Sequence, residues 1–443
     1  NGGSLTSGAL RHIPVRMIES GPAAGVLGAA YIGRMTGCLK VISFDMGGTT
    51  AKAGIIEDGE PRIVPRFQSG EWLVSVPSLD LVEIGSGGGS IAWIDKSGML
   101  KVGPQSAGAD PGPACYPNGG RAPTVTDADV ALGWLNPHFF LGGKFPLNAA
   151  AAESAIARHI AEPLGLELIE AASGIIKIVS SQMVEALRLV TVSRGEDPRE
   201  YVLVAFGGAG PVHAALLAEE LNIPRVLVPA APGLASAMGL LVSDLKRDYI
   251  QTHFAEMEKV AASEVQRRFE EMERAAEEEF STQGIPPEQI AHERAIDLRY
   301  SIQKYELPVT VARTALTEAD KIGWRRMFDE LHERHYGSRA EDQRVELVNY
   351  RLTTKVALPK PPIAESAEKG ERPDAALKGS RRAYFDRWLD CPVYDRGRLA
   401  HGNQVRGPAI IEEMDSTIVI HPRQAARVDR FGNIIIELGA GKT

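Results

Sequence analysis

Cysteine is scarce in this chain of 443 residues: Cys38, Cys115 and Cys391 are its three, far apart and with no CxxC pair. Such usage argues against a zinc ribbon or a disulfide framework and for a reducing compartment, with the cytoplasm as the expected location. Basic tracts are missing and the formal net charge is −8, so nothing points to nucleic acid or to an anionic membrane surface. No uninterrupted apolar run of 18 residues and no signal peptide is visible, which removes membrane spans from the expected elements. What remains is an ordinary globular composition, 44% hydrophobic and 24% charged. The length suggests two or three domains at ~150 residues each.

The most informative segment runs from Val41 to Lys52, Val-Ile-Ser-Phe-Asp-Met-Gly-Gly-Thr-Thr-Ala-Lys. An apolar strand runs into Asp45, then Gly47, Gly48, Thr49 and Thr50, and a second strand follows. Paired glycines let backbone come close to a ligand and aim N–H groups at an anion. The hydroxyls of Thr49 and Thr50 add donors, and Asp45 is placed to hold a metal or a water. This is the chemistry of a phosphate loop joining two strands, not a Walker A strand-to-helix loop. A plain Gly-Gly hairpin turn explains the segment equally well.

Along the chain, small residues at helical spacing over 20–35 predict a helix packed closely against a neighbour. Strands are expected at 61–67, 72–76 and 81–84, and 85–135 reads as a long functional loop system. Helices follow at 149–161 and 168–194, where Ile175, Ile178, Val179, Met183, Leu187 and Val190 recur near a 3.6 period. A buried strand at 201–206 turns through Gly207, Gly208, Ala209, Gly210 and Pro211 into a helix at 212–221, and 224–229 is another strand. The mixed Glu/Arg stretch 254–283 reads as a charged helical arm, solvated or between domains. Strands at 294–312 and 344–358 flank a helix at 318–335, and short strands at 408–413, 416–420 and 432–437 close the chain. The expected domains are an α/β nucleotide-binding domain at 1–250, a helical-arm region at 251–358, a linker at 359–380 and a β-rich domain at 381–443.

Two further clusters bear on chemistry. The turn Gly207–Gly210 opens a helix whose free N–H groups and dipole suit a phosphate or the close passage of a nucleoside, although such turns are also commonly structural. Serines, glycines and aspartates concentrate in 83–90, 105–116 and 124–129, where Asp110 and Asp127 are candidate oxygen ligands for a hard cation. The competing reading makes Asp127 and Asp129 caps of a helix starting near Ala128. Cys115 has no partner histidine in its segment and reads as an ordinary buried thiol; His138 and His159 read as surface or core histidines.

Together these segments resemble the hydantoinase A/5-oxoprolinase family. The resemblance rests on Asp45-Met-Gly-Gly-Thr-Thr, Gly-Ser-Gly-Gly-Gly-Ser-Ile-Ala-Trp (85–93) and the long string 102–116. It continues through Pro-Thr-Val-Thr-Asp-Ala-Asp (123–129), Phe-Gly-Gly-Ala-Gly-Pro-Val-His-Ala (206–214), Arg-Gly-Pro-Ala-Ile-Ile-Glu-Glu (406–413) and Phe-Gly-Asn (431–433). It implies an actin-like ATPase fold, as in sugar kinases and heat-shock chaperones, with a smaller β-rich C-terminal domain. It also implies ATP with Mg²⁺ or Mn²⁺, a small cyclic amide or ketone as substrate, and a B-type partner subunit that carries the hydrolytic step. Family members usually begin with a further domain bearing its own Asp-x-Gly-Gly-Thr loop, so roughly the first third is expected to be absent here. Carried onto this chain, the resemblance makes Asp45 and Thr49 catalytic. It places Gly47, Gly48, Thr49, Thr50, Lys52, Gly207, Gly208, Ala209 and Gly210 on the nucleotide, and Asp45, Asp110 and Asp127 near the metal. Lys52 stands where many relatives carry Asp, which implies either a phosphate contact or a subgroup with altered activity.

Overall fold

The computed structural model describes residues 2–5, 10, 11, 14–64, 66–69, 71–340 and 342–439. Two compact units emerge: one holds Arg16–Val242 together with Lys360–Thr443, the other Gly3–Val15 with Ser243–Pro359.

The first unit is built on a sheet of nine strands among the described residues. At its centre β1 (Val41–Met46) pairs antiparallel with β2 (Ala51–Glu57) and parallel with β3 (Val202–Phe206), which pairs parallel with β4 (Arg225–Val228). Strand 81–84 lies on the other side of β2. This mixed order gives the α/β, actin-like ATPase architecture its centre. Period-2 alternation explains why both faces are covered. Ile42, Phe44 and Met46 enter one core together with Ile175, Val179 and Met183 of helix 168–190. Val41, Val204 and Phe206 enter a second core with Val26, Ala29 and Ile32 of helix Ser20–Thr36. The close helix contact expected from the small residues is present. A methyl group at Gly28 would lie 2.8 Å from the Ala235 carbonyl oxygen, at the start of helix Ala235–Leu241.

The domain boundaries differ from the expected set. Residues 381–443 do not stand apart from 1–250, because strand Ile434–Glu437 pairs antiparallel with β4 and brings strands 425–428 and 404–406 into the large sheet. The remaining C-terminal strands, 377–384, 388–395, 409–412 and 417–420, form a four-stranded sheet of their own, so the C-terminal part is β-rich as expected. The expected loop system 85–135 also contains more order, a hairpin of Ser90–Ile94 with Leu100–Ser106 and the helix Val125–Ala131.

The second unit is a four-stranded antiparallel sheet in the order 245–256, 345–356, 290–300, 307–311. Helix Ala262–Ser281 is no solvated arm. Val265, Phe269, Ala276 and Phe280 form a buried stripe, and the first three share a core with Tyr350 and Phe328. Glu273 is held on that buried side by a two-pronged contact from Arg294, at 2.9 and 2.8 Å.

Candidate functional site

The glycine-rich segments are brought together at the C-terminal end of β1. In the β1–β2 turn the Gly47 N–H donates to the Thr50 carbonyl at 3.1 Å, and side chains added at Gly47 or Gly48 would meet nothing within 4 Å. Residues 87–89 lie against this turn: Gly88 N–H donates to the Gly47 carbonyl (3.0 Å) and Gly89 N–H to the Gly48 carbonyl (2.6 Å). There is no room for a side chain at Gly87, where a Cβ would lie 2.7 Å from Thr49 N. Thr126 fixes this loop in turn, since its N–H and its Oγ1 both donate to the Gly88 carbonyl at 2.8 Å.

The second turn arrives because β3 runs parallel to β1, with Phe206 beside Asp45. Gly207 has φ 81° and a Cβ there would lie 2.5 Å from Asp45 Oδ1, so the left-handed backbone and the crowding both demand glycine. Ala209 N–H donates to the Met46 carbonyl (3.0 Å), clamping the turn to the end of β1. Helix Gly210–Glu220 starts there, with Pro211 in its first turn.

A cavity of about 220 Å³ opens where these segments meet. Gly47, Gly48 and Gly88 line one part, Gly208, Ala209 and Val212 another, and residues 412–417 a third, with Tyr116, Phe139 and Phe140 supplying apolar wall. Four of the residues expected on the nucleotide therefore share one space. Gly207 shapes the turn behind it, Gly210 is buried at the helix start, Thr49 is exposed and Thr50 half-buried. Asp45 is partly buried at the strand end; burial raises its pKa and Lys52 opposes that rise.

Other expected site residues lie elsewhere. Lys52 is not on the cavity: its ammonium is held by Glu19 at 2.7 Å and Glu83 at 3.4 Å in a separate groove that Arg194 also lines. Two carboxylates thus take the charge assigned to phosphate. Asp127 is fully buried and accepts from four donors: Ala114 N (3.0 Å), Cys115 N (2.7 Å), Thr124 N (2.8 Å) and Thr124 Oγ1 (2.7 Å). Buried and held by a helix cap and by the loop 114–115, it serves the capping role rather than the metal one. Asp110 is exposed on a turn. No group of three or more His, Cys, Asp and Glu able to hold a metal occurs among the described residues, so Asp45, Asp110 and Asp127 do not form one centre. Cys115 is buried, and burial together with the Asp127 carboxylate pushes its thiol strongly up, which leaves it inert as a nucleophile.

The sequence reading missed the third wall. Glu412 is buried; burial works against its ionisation, but Lys378, Asn136 and Arg381 hold its carboxyl below the usual range. Glu413, its neighbour on the opposite side of the strand end, is pushed up to about 7 by burial, with Arg396 opposing and Asp415 assisting. Asp129, capped from suspicion by its neighbour Asp127, instead lines the cavity, with Oδ2 3.4 Å from His213 Nε2. Burial raises its pKa and His213 opposes the rise. Behind His213, His421 is fully buried and pushed down to about 4, by burial and then by His213. The strings 123–129, 206–214 and 406–413 touched this wall in the sequence, but they carried resemblance without this chemical reading.

The hydantoinase/oxoprolinase family model matches residues 1–249, and the model of the C-terminal domain of the same family matches 253–438. The chain belongs to the hydantoinase/oxoprolinase family. It is 38% identical over 444 residues to the acetophenone carboxylase gamma subunit of Aromatoleum aromaticum, covering 95% of this chain and 59% of that one. To the caprolactamase alpha subunit of Pseudomonas jessenii it is 34% identical over 439 residues, covering 97% and 62%. The crystal structure of the ATP-dependent caprolactamase from that organism matches with a TM-score of 0.83 at 33% identity, over 95% of this chain and 62% of that chain. This family member thus spans about three fifths of the length of these relatives. No helix among its described residues is long and apolar enough to cross a membrane.

Proposed function

We propose that this chain is the nucleotide-binding part of an ATP-dependent enzyme that activates a small cyclic amide by phosphorylating its carbonyl oxygen. The observation that carries the reading is the meeting of turns 47–50, 87–89 and 207–210 at one cavity, with open space at both Gly47 and Gly48. Amide carbons are poor electrophiles; with the oxygen phosphorylated, water adds to the carbon, the C–N bond breaks with the nitrogen leaving as the amine, and a second water releases phosphate from the acyl phosphate. Phosphoryl transfer asks the protein for in-line positioning and neutralised oxygens more than for covalent chemistry. Gly47, Gly48 and Thr49 are assigned to the β- and γ-phosphates through N–H and hydroxyl groups, with Thr50 completing the turn. Gly207, Gly208, Ala209 and Gly210 are assigned to the nucleoside side.

We assign Mg²⁺ (or Mn²⁺) to Asp45, the carboxylate at the end of β1 beside the glycine turn; there the ion would neutralise phosphate oxygens. Asp45 would hold the ion or its water, and Thr49 would orient the transferred group. A B-type partner subunit carries the hydrolytic step in this reading, and three free cysteines fit a reducing cytoplasm. The likeness to an acetophenone carboxylase subunit favours a second reading, in which the activated oxygen is that of a ketone and CO₂ is the acceptor. A third makes the chain a nucleotide-binding subunit without turnover of its own.

The test is ADP release by the chain together with its partner, with ε-caprolactam, 5-oxoproline, acetone and acetophenone offered in turn. Stimulation by a lactam without bicarbonate supports the first reading. ADP release that requires a ketone and bicarbonate moves the assignment to the second. ATP binding without release under every condition leaves the third.

A further inference from the structure

The cavity at the glycine turns holds about 220 Å³, less than the ~300–1,000 Å³ of ordinary small-molecule pockets. A nucleotide therefore needs one of its walls to give way, and the walls differ in how firmly they are held. Gly47 and Gly48 are hydrogen-bonded to Gly88 and Gly89, and Ala209 to the end of β1. Thr126 and Asp129 belong to a capped helix. Residues 412–417 form a strand-paired turn, with Glu412 opposite Thr417 and the Glu413 N–H donating to the Ser416 carbonyl at 3.0 Å.

The wall of Phe139, Phe140 and Leu141 is held differently. Its tip, Leu141–Lys144, is exposed. Leu141, Gly142 and Gly143 have φ of 49°, 66° and 83°, three successive left-handed residues, and in that region the leucine is strained. Among the described residues no hydrogen bond joins 140–145 to another element. The bonds across the tip are long, Lys144 N–H to the Leu141 carbonyl at 3.3 Å and Phe145 N–H to the Phe140 carbonyl at 3.4 Å. The segment is anchored at its roots, where the rings of Phe140 and Phe145 lie 5.8 and 5.0 Å from that of Tyr116. Beyond its roots the tip meets Met414, which is 60% exposed: a Cβ at Gly142 would lie 3.1 Å from Met414 Cγ. Leu141 and Met414 both line the cavity, so this contact closes one side of it.

We propose that Leu141–Lys144 is a lid, shut on Met414 in this structure, that swings on its Phe140 and Phe145 roots to admit a nucleotide. The proposal rests on the nucleotide reading given above and adds how access to that site is controlled.

Three properties make the motion cheap. Gly142 and Gly143 lack a Cβ and leave the left-handed region at little steric cost. Opening relieves the strained backbone of Leu141. The contact given up is with one unbranched, flexible methionine side chain, which adapts to either position. A segment with so few anchors lies at the low-stability end of a native structure, where local opening leaves the sheet beneath intact. Lids of this kind move in microseconds to milliseconds and set how fast ligands enter and leave.

The experiment fastens the lid. A Cβ at Gly142 would lie 3.9 Å from Met414 Cβ, inside the ~3.5–4.5 Å that a disulfide spans, so Gly142→Cys with Met414→Cys should crosslink on oxidation. The crosslink, verified by peptide mass, is expected to slow association of the fluorescent analogue mant-ATP at least about tenfold in stopped flow, relative to the same protein reduced with dithiothreitol. In the wild type the amides of 141–145 are expected to exchange with deuterium at least about a hundredfold faster than those of 126–132. Equal association rates with and without the crosslink overturn the lid, as does exchange of 141–145 as slow as that of the helix. A crosslink that fails to form in the folded protein overturns the contact on which the lid shuts. If Gly142→Cys does not fold, Met414→Ala carries the comparison: exchange of 141–145 should quicken at least about threefold, and unchanged exchange overturns the proposal. A folded wild type that binds no mant-ATP overturns the nucleotide reading beneath, while hydrogen exchange and crosslink yield still decide whether the segment opens.

Discussion

Replacing Asp127 by alanine separates the two roles its position allows. The carboxylate accepts from three backbone N–H groups and one hydroxyl, all within 3.0 Å and all buried. Alanine leaves the amides of Ala114, Cys115 and Thr124 without an acceptor. At roughly 1–3 kcal/mol for each stranded group, reduced by relaxation and by water entering the gap, the net loss should be about 3–5 kcal/mol. For a folding unit of this size about 1–2 °C of Tm accompanies each kcal/mol, so a fall of roughly 3–10 °C is expected in thermal unfolding followed by circular dichroism. Mg²⁺ or EDTA should not alter the difference between the two proteins, because the carboxylate is fully buried and already held by four protein donors. A Tm within 1 °C of wild type would refute the capping argument. A wild-type Tm that rises with Mg²⁺ while the variant's does not would restore the metal assignment.

Glu413→Gln should alter the pH dependence of stability. The native carboxyl titrates near 7 where the ordinary value is 4.5, so the folded state holds a proton that the unfolded state has lost. The stability this contributes is complete below about 4.5 and is lost as pH rises through 7. Urea unfolding should show wild type losing roughly 2–3 kcal/mol relative to the variant across that window, and parallel pH curves would count against it. Gly48→Val should leave Tm unchanged, since its Cβ points into open space, and should abolish nucleotide binding measured by calorimetry. Gly207→Ala should instead lower stability by about 1–3 kcal/mol in urea unfolding, through strained φ and contact with Asp45; an unaffected midpoint would contradict the reported crowding. Cys38, half-buried, should react with a thiol reagent in the native protein while Cys115 and Cys391 react only on unfolding; native labelling of Cys115 would refute its burial.

Much of the central sheet was legible, because strands 41–46, 202–206 and 225–228 are short, mostly apolar runs, and the first two end in glycine turns. Helix 168–190 was legible for the same reason, its period carrying a full buried stripe. What the sequence hid was pairing at long range. Strands 404–406 and 425–428 are short and half-exposed, and they gain identity only through Ile434–Glu437 binding the edge of the large sheet. The separate C-terminal domain expected from the linker dissolves for that reason. In the site, glycines announced themselves through local chemistry. Carboxylates did not, because what a carboxylate does depends on donors supplied from elsewhere. Asp127 is taken by a loop 12 residues back at Cys115, Lys52 by Glu19 on the helix-entry turn, and Glu413 shares a cavity lining with Gly208 and Ala209 only in the folded chain.

The most direct test of the account is a crystal structure of the chain with a non-hydrolysable ATP analogue. The account predicts the triphosphate over the backbone of Gly47–Thr49 and the nucleoside against Gly208 and Ala209. Analogue density in any other place, with that cavity empty, would contradict it.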